Sequence, residues 1–270
     1  ARQVRLLAPD AAIIGFGCRP DGIEMEQVAE AGVTEILESP LSVERFQAAV
    51  VRGVQARPLV DDNLVAFLPA KAGSGSTTVA ANIAGSLARD LDKKVLIMEA
   101  DSRSGVLSVM FRLKAEYSLA HALGNVDRLD GTLWRRIVVK AQGVDFLMAP
   151  ADHEGGSLRW ADFHQLLQFV KPRYDAVVAD LPELVNDATV EIVRRARSVF
   201  IVCTAEMPSL VLARQRRRDL RERGIADRQV EFVVNRWNRH DCKKEHIEEL
   251  LERPLSATFQ NDYACVHRAM

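Results

Sequence analysis

Leu64-Val65-Ala66-Phe67-Leu68-Pro69-Ala70-Lys71-Ala72-Gly73-Ser74-Gly75-Ser76-Thr77-Thr78-Val79-Ala80-Ala81-Asn82-Ile83-Ala84-Gly85-Ser86-Leu87-Ala88 is the stretch that decides how the rest of the chain is read. It opens with an apolar run of strand length and passes through a turn of small residues. It then becomes an Ala-rich segment with Val79, Ile83 and Leu87 at four-residue spacing, which predicts a helix over Thr77 to Ala88 with one apolar stripe. Strand, glycine turn and helix start together make a phosphate cradle. Residues without bulky side chains let backbone N–H groups approach phosphate oxygens, and the unpaired amides of a helix start favour negative charge. Ala72 to Thr78 are therefore the candidate phosphate-binding residues, and Thr77 stands where a hydroxyl can coordinate Mg2+.

Downstream the same alternation repeats. Strands are expected at Lys94 to Met98, Val144 to Met148, Ala176 to Ala179, Val199 to Cys203 and Gln229 to Val234, with helices between them. Leu210 to Arg223, ended by Gly224, is the other well-marked helix. This pattern predicts an α/β domain with a mainly parallel sheet and helices on both faces. Upstream, a smaller rhythm predicts strand 11–14, helix 22–30, strand 34–37 and helix 43–51. The expected division is a small α/β module over residues 1–52, a linker over 53–63 and the main domain over 64–270.

Lys and Arg number 36 against 37 Asp and Glu in 270 residues, so no net field draws the molecule to nucleic acid or anionic lipid. Cys18, Cys203, Cys242 and Cys265 are scattered, without metal-ligand spacing, which fits a reducing cytoplasm. No apolar run approaches the ~20 residues that cross a bilayer, so any membrane contact is expected to be peripheral or indirect.

The loop resembles that of the deviant-Walker ATPases, the ParA/MinD superfamily, which reads K-G-G-x-G-K-[ST]-T. Lys71 matches the signature lysine, Gly73 and Gly75 the glycines, and Thr77-Thr78 the hydroxyl pair, while Ala72 and Ser76 depart from the pattern. Ser76 replaces the lysine that neutralises the β- and γ-phosphates, and serine offers a hydrogen bond without charge. Three further segments follow in the family's order. Glu99-Ala100-Asp101 resembles the D-x-D switch; residues two apart in an extended segment share a side, so both acids are expected to face the loop. Tyr174 to Pro182 resembles the Walker B strand, delivering Asp180. Val233-Val234-Asn235-Arg236 is similar to the adenine-contacting segment.

This resemblance implies ATP or ADP with Mg2+ as cofactors. It implies Lys71 and Asp101 as catalytic residues, Thr77, Asp180 and Asp101 as metal-binding residues, and Lys71 to Thr78 with Asn235 and Arg236 as nucleotide-binding residues. It also implies a homodimer through a nucleotide sandwich in which Lys71 reaches the partner's phosphates. The Ser76 departure implies weak or absent hydrolysis.

Asp10 to Gly15 and Ala31 to Leu41 resemble the closing half of a receiver domain in which Ser39-Pro40 has lost the lysine of the usual Lys-Pro. A degenerate receiver ahead of such a domain resembles the CpaE/TadZ branch, as does Pro254 to Tyr263. That branch implies recruitment to a cell pole and partners among pilus or secretion-system proteins. An active partition or septum-site ATPase, and a pseudo-ATPase scaffold that binds no nucleotide, are the alternatives. Arg214, Arg216, Arg217, Arg218, Arg221 and Arg223 crowd one helix, but interspersed Asp219 and Glu222 favour a solvated face over a nucleic-acid contact. His121, His153 and His164 are read as structural or surface residues, Trp134, Trp160 and Trp237 as core or interface anchors, and Cys203 as packing.

Overall fold

The computed structural model describes residues 13–17, 33, 35–38, 40, 42–55, 61–101, 105–150, 160–238 and 242–262. The expected helix over 22–30, the start of the strand over 11–14, and His153, Cys18, Cys265 and Tyr263 lie outside them. The chain divides into two compact units, 1–59 and 60–270.

In the first unit, β1 (Ile14–Gly17) pairs in parallel with β2 (Glu35–Glu38) in the register Ile14 to Glu35. The first strand thus begins where the apolar run was expected to end, because pairing with β2 carries the extended backbone on through Gly17. Helix α1 (Val43–Gln55) follows, with the Ser42 hydroxyl accepting from Arg45 N at 3.2 Å, a side-chain cap on its first turn. This helix runs to Gln55 and the next strand starts at Asp61, so the stretch expected as linker, 53–63, is regular at both ends.

The second unit is built on an eight-stranded sheet. In chain order its elements are β3 (Asp61–Pro69), α2 (Ser76–Asp90), β4 (Val95–Glu99), α3 (Leu107–Met110), α4 (Leu119–Gly124), α5 (Gly131–Ile137), β5 (Val139–Ala141), β6 (Val144–Leu147), α6 (Trp160–Val170), β7 (Ala176–Asp180), α7 (Asp187–Arg195), β8 (Ala196–Thr204), α8 (Met207–Glu222), β9 (Val230–Trp237), α9 (Lys244–Leu251) and β10 (Leu255–Gln260). The spatial order is β10-β9-β8-β3-β7-β4-β6-β5. Every pairing is parallel except β5 with β6.

Side chains alternate across each strand and so feed two cores. Leu64, Ala66 and Leu68 of β3 join α4 to α9 on one face, through residues such as Phe163, Ile192, Leu210 and Leu251. Phe67, with Ile97, Val178 and Val202, packs on the other face against Val79, Ala80 and Ala84 of α2. Each fully buried Leu, Ile or Val contributes about 1.5–3 kcal/mol relative to exposure. The central strands therefore hold β3, and the turn that follows it, in a rigid setting.

Candidate functional site at the carboxyl end of the sheet

Strand β3 hands the chain to the loop through Ala70, whose N–H donates to the Val202 carbonyl at 2.9 Å. The loop closes on itself with Ser74 N donating to Lys71 O at 3.2 Å. Gly73 and Gly75 take φ of 78° and 85°, the left-handed region that side chains disfavour. Helix α2 then starts at Ser76 without any side-chain cap, leaving its first amides available to an anion.

Gly75 is required for a second reason, since a Cβ there would run into the amide of Asn235. That amide donates to the Ser74 carbonyl at 2.9 Å, so Asn235, expected to face a purine, also clamps the loop. Gly75→Ala should therefore lose about 1–3 kcal/mol of stability, from backbone strain plus the displaced clamp. Differential scanning calorimetry checks this against Gly85→Ala, where open space surrounds the new methyl and no loss is expected. Equal melting of the two variants would contradict the clamp.

Five buried side-chain atoms among the described residues have no hydrogen-bond partner: Ser74 Oγ, Ser76 Oγ, Asp180 Oδ1, Thr204 Oγ1 and Arg216 Nε. Ser74 and Ser76 are in the loop or at the helix start, and Asp180 and Thr204 end strands on either side of β3. Buried polar atoms are normally satisfied, so orphans gathered around one loop fit a polar ligand that supplies the missing partners. Bound phosphate with a divalent cation has this chemistry. Among the described residues no group of three or more His, Cys, Asp and Glu stands ready to hold a metal alone. A cation held by Thr77 and Asp180 would thus complete its shell with phosphate and water oxygens.

Asp180 is 4% exposed, and burial pushes its carboxyl up to about 7. The Thr77 hydroxyl works in the opposite direction, while the charges of Glu99 and Asp101 add to the rise. Glu99 corrects the expectation that both acids of Glu99-Ala100-Asp101 face the loop. Its carboxylate accepts from Val106 N at 2.5 Å, Leu107 N at 2.9 Å and Ala149 N at 2.9 Å. It therefore anchors two neighbouring turns, and burial raises its carboxyl despite those three donors. Asp101 lies beyond the end of β4, half-buried and within electrostatic reach of Asp180.

Lys71 is paired with Glu206 at 3.5 Å, and both side chains are partly exposed. At Ala72 the backbone N–H donates to Glu183 Oε2 at 2.8 Å. The other oxygen of Glu183 meets Arg216 Nη2 at 3.4 Å. Sequence reasoning missed Glu183 and Glu206, and it placed Arg216 on a solvated face, whereas Arg216 is 16% exposed and meets Glu183. Glu183 stands three residues after Asp180 and so had a local signal, whereas its partners lie 33 and 111 residues away. Thr77 and Thr78 lie in the first turn of α2, which starts one residue before the expected Thr77, and Arg236 is exposed with φ 56° just beyond Asn235. Past it, Trp237, Asn238, Gln260 and Asn261 line a cleft of about 160 Å3 at the ends of β9 and β10.

Three of the six arginines named on this helix, Arg214, Arg216 and Arg217, pair with carboxylates. Arg214 bonds Glu252 at 2.6 Å, and Arg217 forms a two-pronged pair with Asp227, both contacts at 2.8 Å. Arg218, Arg221 and Arg223 are exposed. His121 completes the cap of α4 through Ser118, and His164 pairs with Glu191 at 2.8 Å. Trp134 is buried and donates to the Tyr174 hydroxyl at 2.7 Å, whereas Trp160 is exposed. Cys203 is fully buried, as its packing role requires.

A family model described as an AAA domain, AAA_31, matches residues 62–213, the span from β3 through the loop and Asp180 into α8. The chain belongs to this family. Within it, the chain resembles the ParA/MinD-type ATPases. The septum site-determining protein MinD of Thermotoga maritima is 25% identical over 186 residues, covering 67% of each chain. Among solved structures, a ParA family ATPase from Chlorobium tepidum TLS superposes with a TM-score of 0.71 at 23% identity, covering 77% of this chain and 87% of that one. MinD from Pyrococcus horikoshii OT3, complexed with Mg-ADP, gives a TM-score of 0.62 at 20% identity, covering 74% and 82%. These likenesses establish the α/β fold with its mostly parallel, helix-flanked sheet. Among the described residues, no helix of this AAA_31 member is long and apolar enough to cross a membrane.

Proposed function

We propose that the protein binds ATP or ADP with Mg2+ at this loop and serves as a CpaE/TadZ-type positioning factor for a Tad-type pilus system at a cell pole, with slow or absent hydrolysis. The observation that carries the reading is Ser76. It occupies the first turn of α2 beside the loop, buried and near the Asp180 carboxyl, where the family's phosphate-neutralising lysine is expected. In this reading the loop amides and helix start hold the phosphates. Thr77 and Asp180 hold the cation, Asp101 orients water, and Asn235 with Arg236 and the cleft beyond them receives the base. Bound Mg2+ supplies charge neutralisation of the phosphates. Without a lysine at position 76 that neutralisation is incomplete, so transition-state charge is poorly met and turnover is slow. The polar pilus role is supported by the parallel β1–β2 pair with α1 and by Ser39-Pro40, read as a degenerate receiver over 1–52.

Calorimetric titration with Mg-ATP, paired with steady-state phosphate release, tests the nucleotide half: binding with negligible turnover is expected. Rapid turnover would favour a septum-site or partition ATPase, a reading that the MinD and ParA likenesses favour. No binding would leave a pseudo-ATPase scaffold.

Dimerisation is tested through Lys71. Its exposed pair with Glu206 is worth about 0–1 kcal/mol, so the side chain is free to swing toward a partner's phosphates at little cost. Lys71→Ala should lower nucleotide-dependent dimerisation about tenfold, the scale of one charge-assisted hydrogen bond, measured by sedimentation in saturating Mg-ATP. Equal dimerisation of wild type and variant would sink the sandwich.

A further inference from the structure

The phosphate loop already holds an anion, and it belongs to the chain. Glu183 Oε2 accepts the Ala72 N–H at 2.8 Å, and its Oε1 meets Arg216 Nη2 at 3.4 Å, so the carboxylate bridges the loop and helix α8. Arg216 is 16% exposed and also meets Asp219 at 3.8 Å, but its buried Nε has no partner. A guanidinium presents its donors as a rigid fork that matches phosphate as well as carboxylate. An acceptor with more oxygens and more charge than Glu183 would find the Ala72 amide, the Arg216 fork and the orphaned Nε within one small region.

We infer that Glu183 is an internal competitor for a nucleotide phosphate at the Ala72 end of the loop, and that the incoming phosphate displaces it and takes over Arg216 as its counter-charge. The inference rests on the nucleotide-binding reading. It has a simple electrostatic basis, since a carboxylate and a phosphate repel at close range and would compete for the one Ala72 amide. It also offers a source for the positive charge that Ser76 does not provide, supplied from α8 instead of the loop.

The test is titration of Mg-ATP into wild type, Glu183→Gln, Arg216→Gln and the double variant, each checked for folding by circular dichroism. Glu183→Gln keeps shape and removes charge, and should bind about tenfold more tightly, the scale of one charge-assisted hydrogen bond. Arg216→Gln should bind about tenfold more weakly, and the same loss should persist when it is added to Glu183→Gln. A residue whose only task is to hold Glu183 would have no effect in that background. Unchanged or weaker binding by Glu183→Gln, or a loss that vanishes in the double variant, overturns the inference while leaving nucleotide binding intact. Folded proteins that all fail to bind Mg-ATP overturn the nucleotide reading, and the inference falls with it.

Discussion

Asp180→Asn should melt above wild type at pH 8 in the presence of a chelator, and the gain should fade as the pH is lowered to 5. In the unfolded chain this carboxyl gives up its proton near 3.8, whereas burial at the end of β7 holds it on to about 7. Between those values the folded state binds more protons than the unfolded one, so stability falls as pH rises through the window. Above pH 7 the full penalty of a buried, ionised carboxylate is present. A tenfold change in proton affinity corresponds to about 1.4 kcal/mol, so the rise from 3.8 to about 7 corresponds to a gain of about 4 kcal/mol at pH 8. In a domain of this size it corresponds to roughly 8–16 °C in melting temperature. Asparagine is nearly isosteric with the protonated acid and avoids the penalty. Thermal melts at the two pH values decide the matter, and equal gains at both would refute the electrostatic account. Mg2+ with nucleotide should narrow the gap at pH 8 by giving the wild-type carboxylate a cation.

Ser76→Lys should tighten Mg-ATP binding by about 10- to 100-fold, the effect of one charge-assisted hydrogen bond to phosphate in a partly dry site. The side chain would leave the first turn of α2, where Ser76 is 5% exposed, and enter the space between the loop and Asp180. There an ammonium also favours the ionised form of Asp180, so the pH-dependent penalty described above should shrink in this variant. Phosphate release should rise if charge at this position is what limits turnover. Titration calorimetry and a phosphate-release assay read the two effects, and a variant with neither change would show that Ser76 is not the limiting departure.

Much of the fold was legible because burial imposes local patterns. Leu64 to Leu68 and Ala176 to Ala179 read as strands since both faces of a central parallel strand are covered. Val79, Ile83 and Leu87 marked α2 by their spacing alone. Strand β8 starts three residues before its expected position because two of the residues Ala196-Arg197-Ser198 are polar, and it is pairing with β3 that draws it into the sheet. Strand β5, which makes a hairpin with the expected strand β6, was missed although Gln142-Gly143, both at positive φ, is a two-residue turn of the kind that antiparallel strands favour. With only Val139 to Ala141, β5 is too short to show alternation.

The site divides the same way. The loop, Thr77 and Asp180 sit on contiguous motifs, and the structure gathers them at one edge. Glu99 was misjudged since periodicity says which side a residue faces but not which amides wait there; Val106, Leu107 and Ala149 claim it. Glu183 and Arg216 meet only through tertiary packing, for which a linear pattern carries no signal.

The sheet order has a consequence for how the molecule is made. The strand that bears the loop is flanked by β7 and β8, so Leu64 lies beside Val177 and Val65 beside Ser198, more than a hundred positions apart in the chain. Contacts of such long range are slow to form, because the chain must close a large loop before any pairing rewards it. During synthesis the glycine turn and α2 therefore emerge well before either neighbour of their strand. The candidate binding edge is complete only when β8 and then β9, which carries the Asn235 clamp, have joined, so a bound nucleotide would stabilise the finished sheet and not its early assembly.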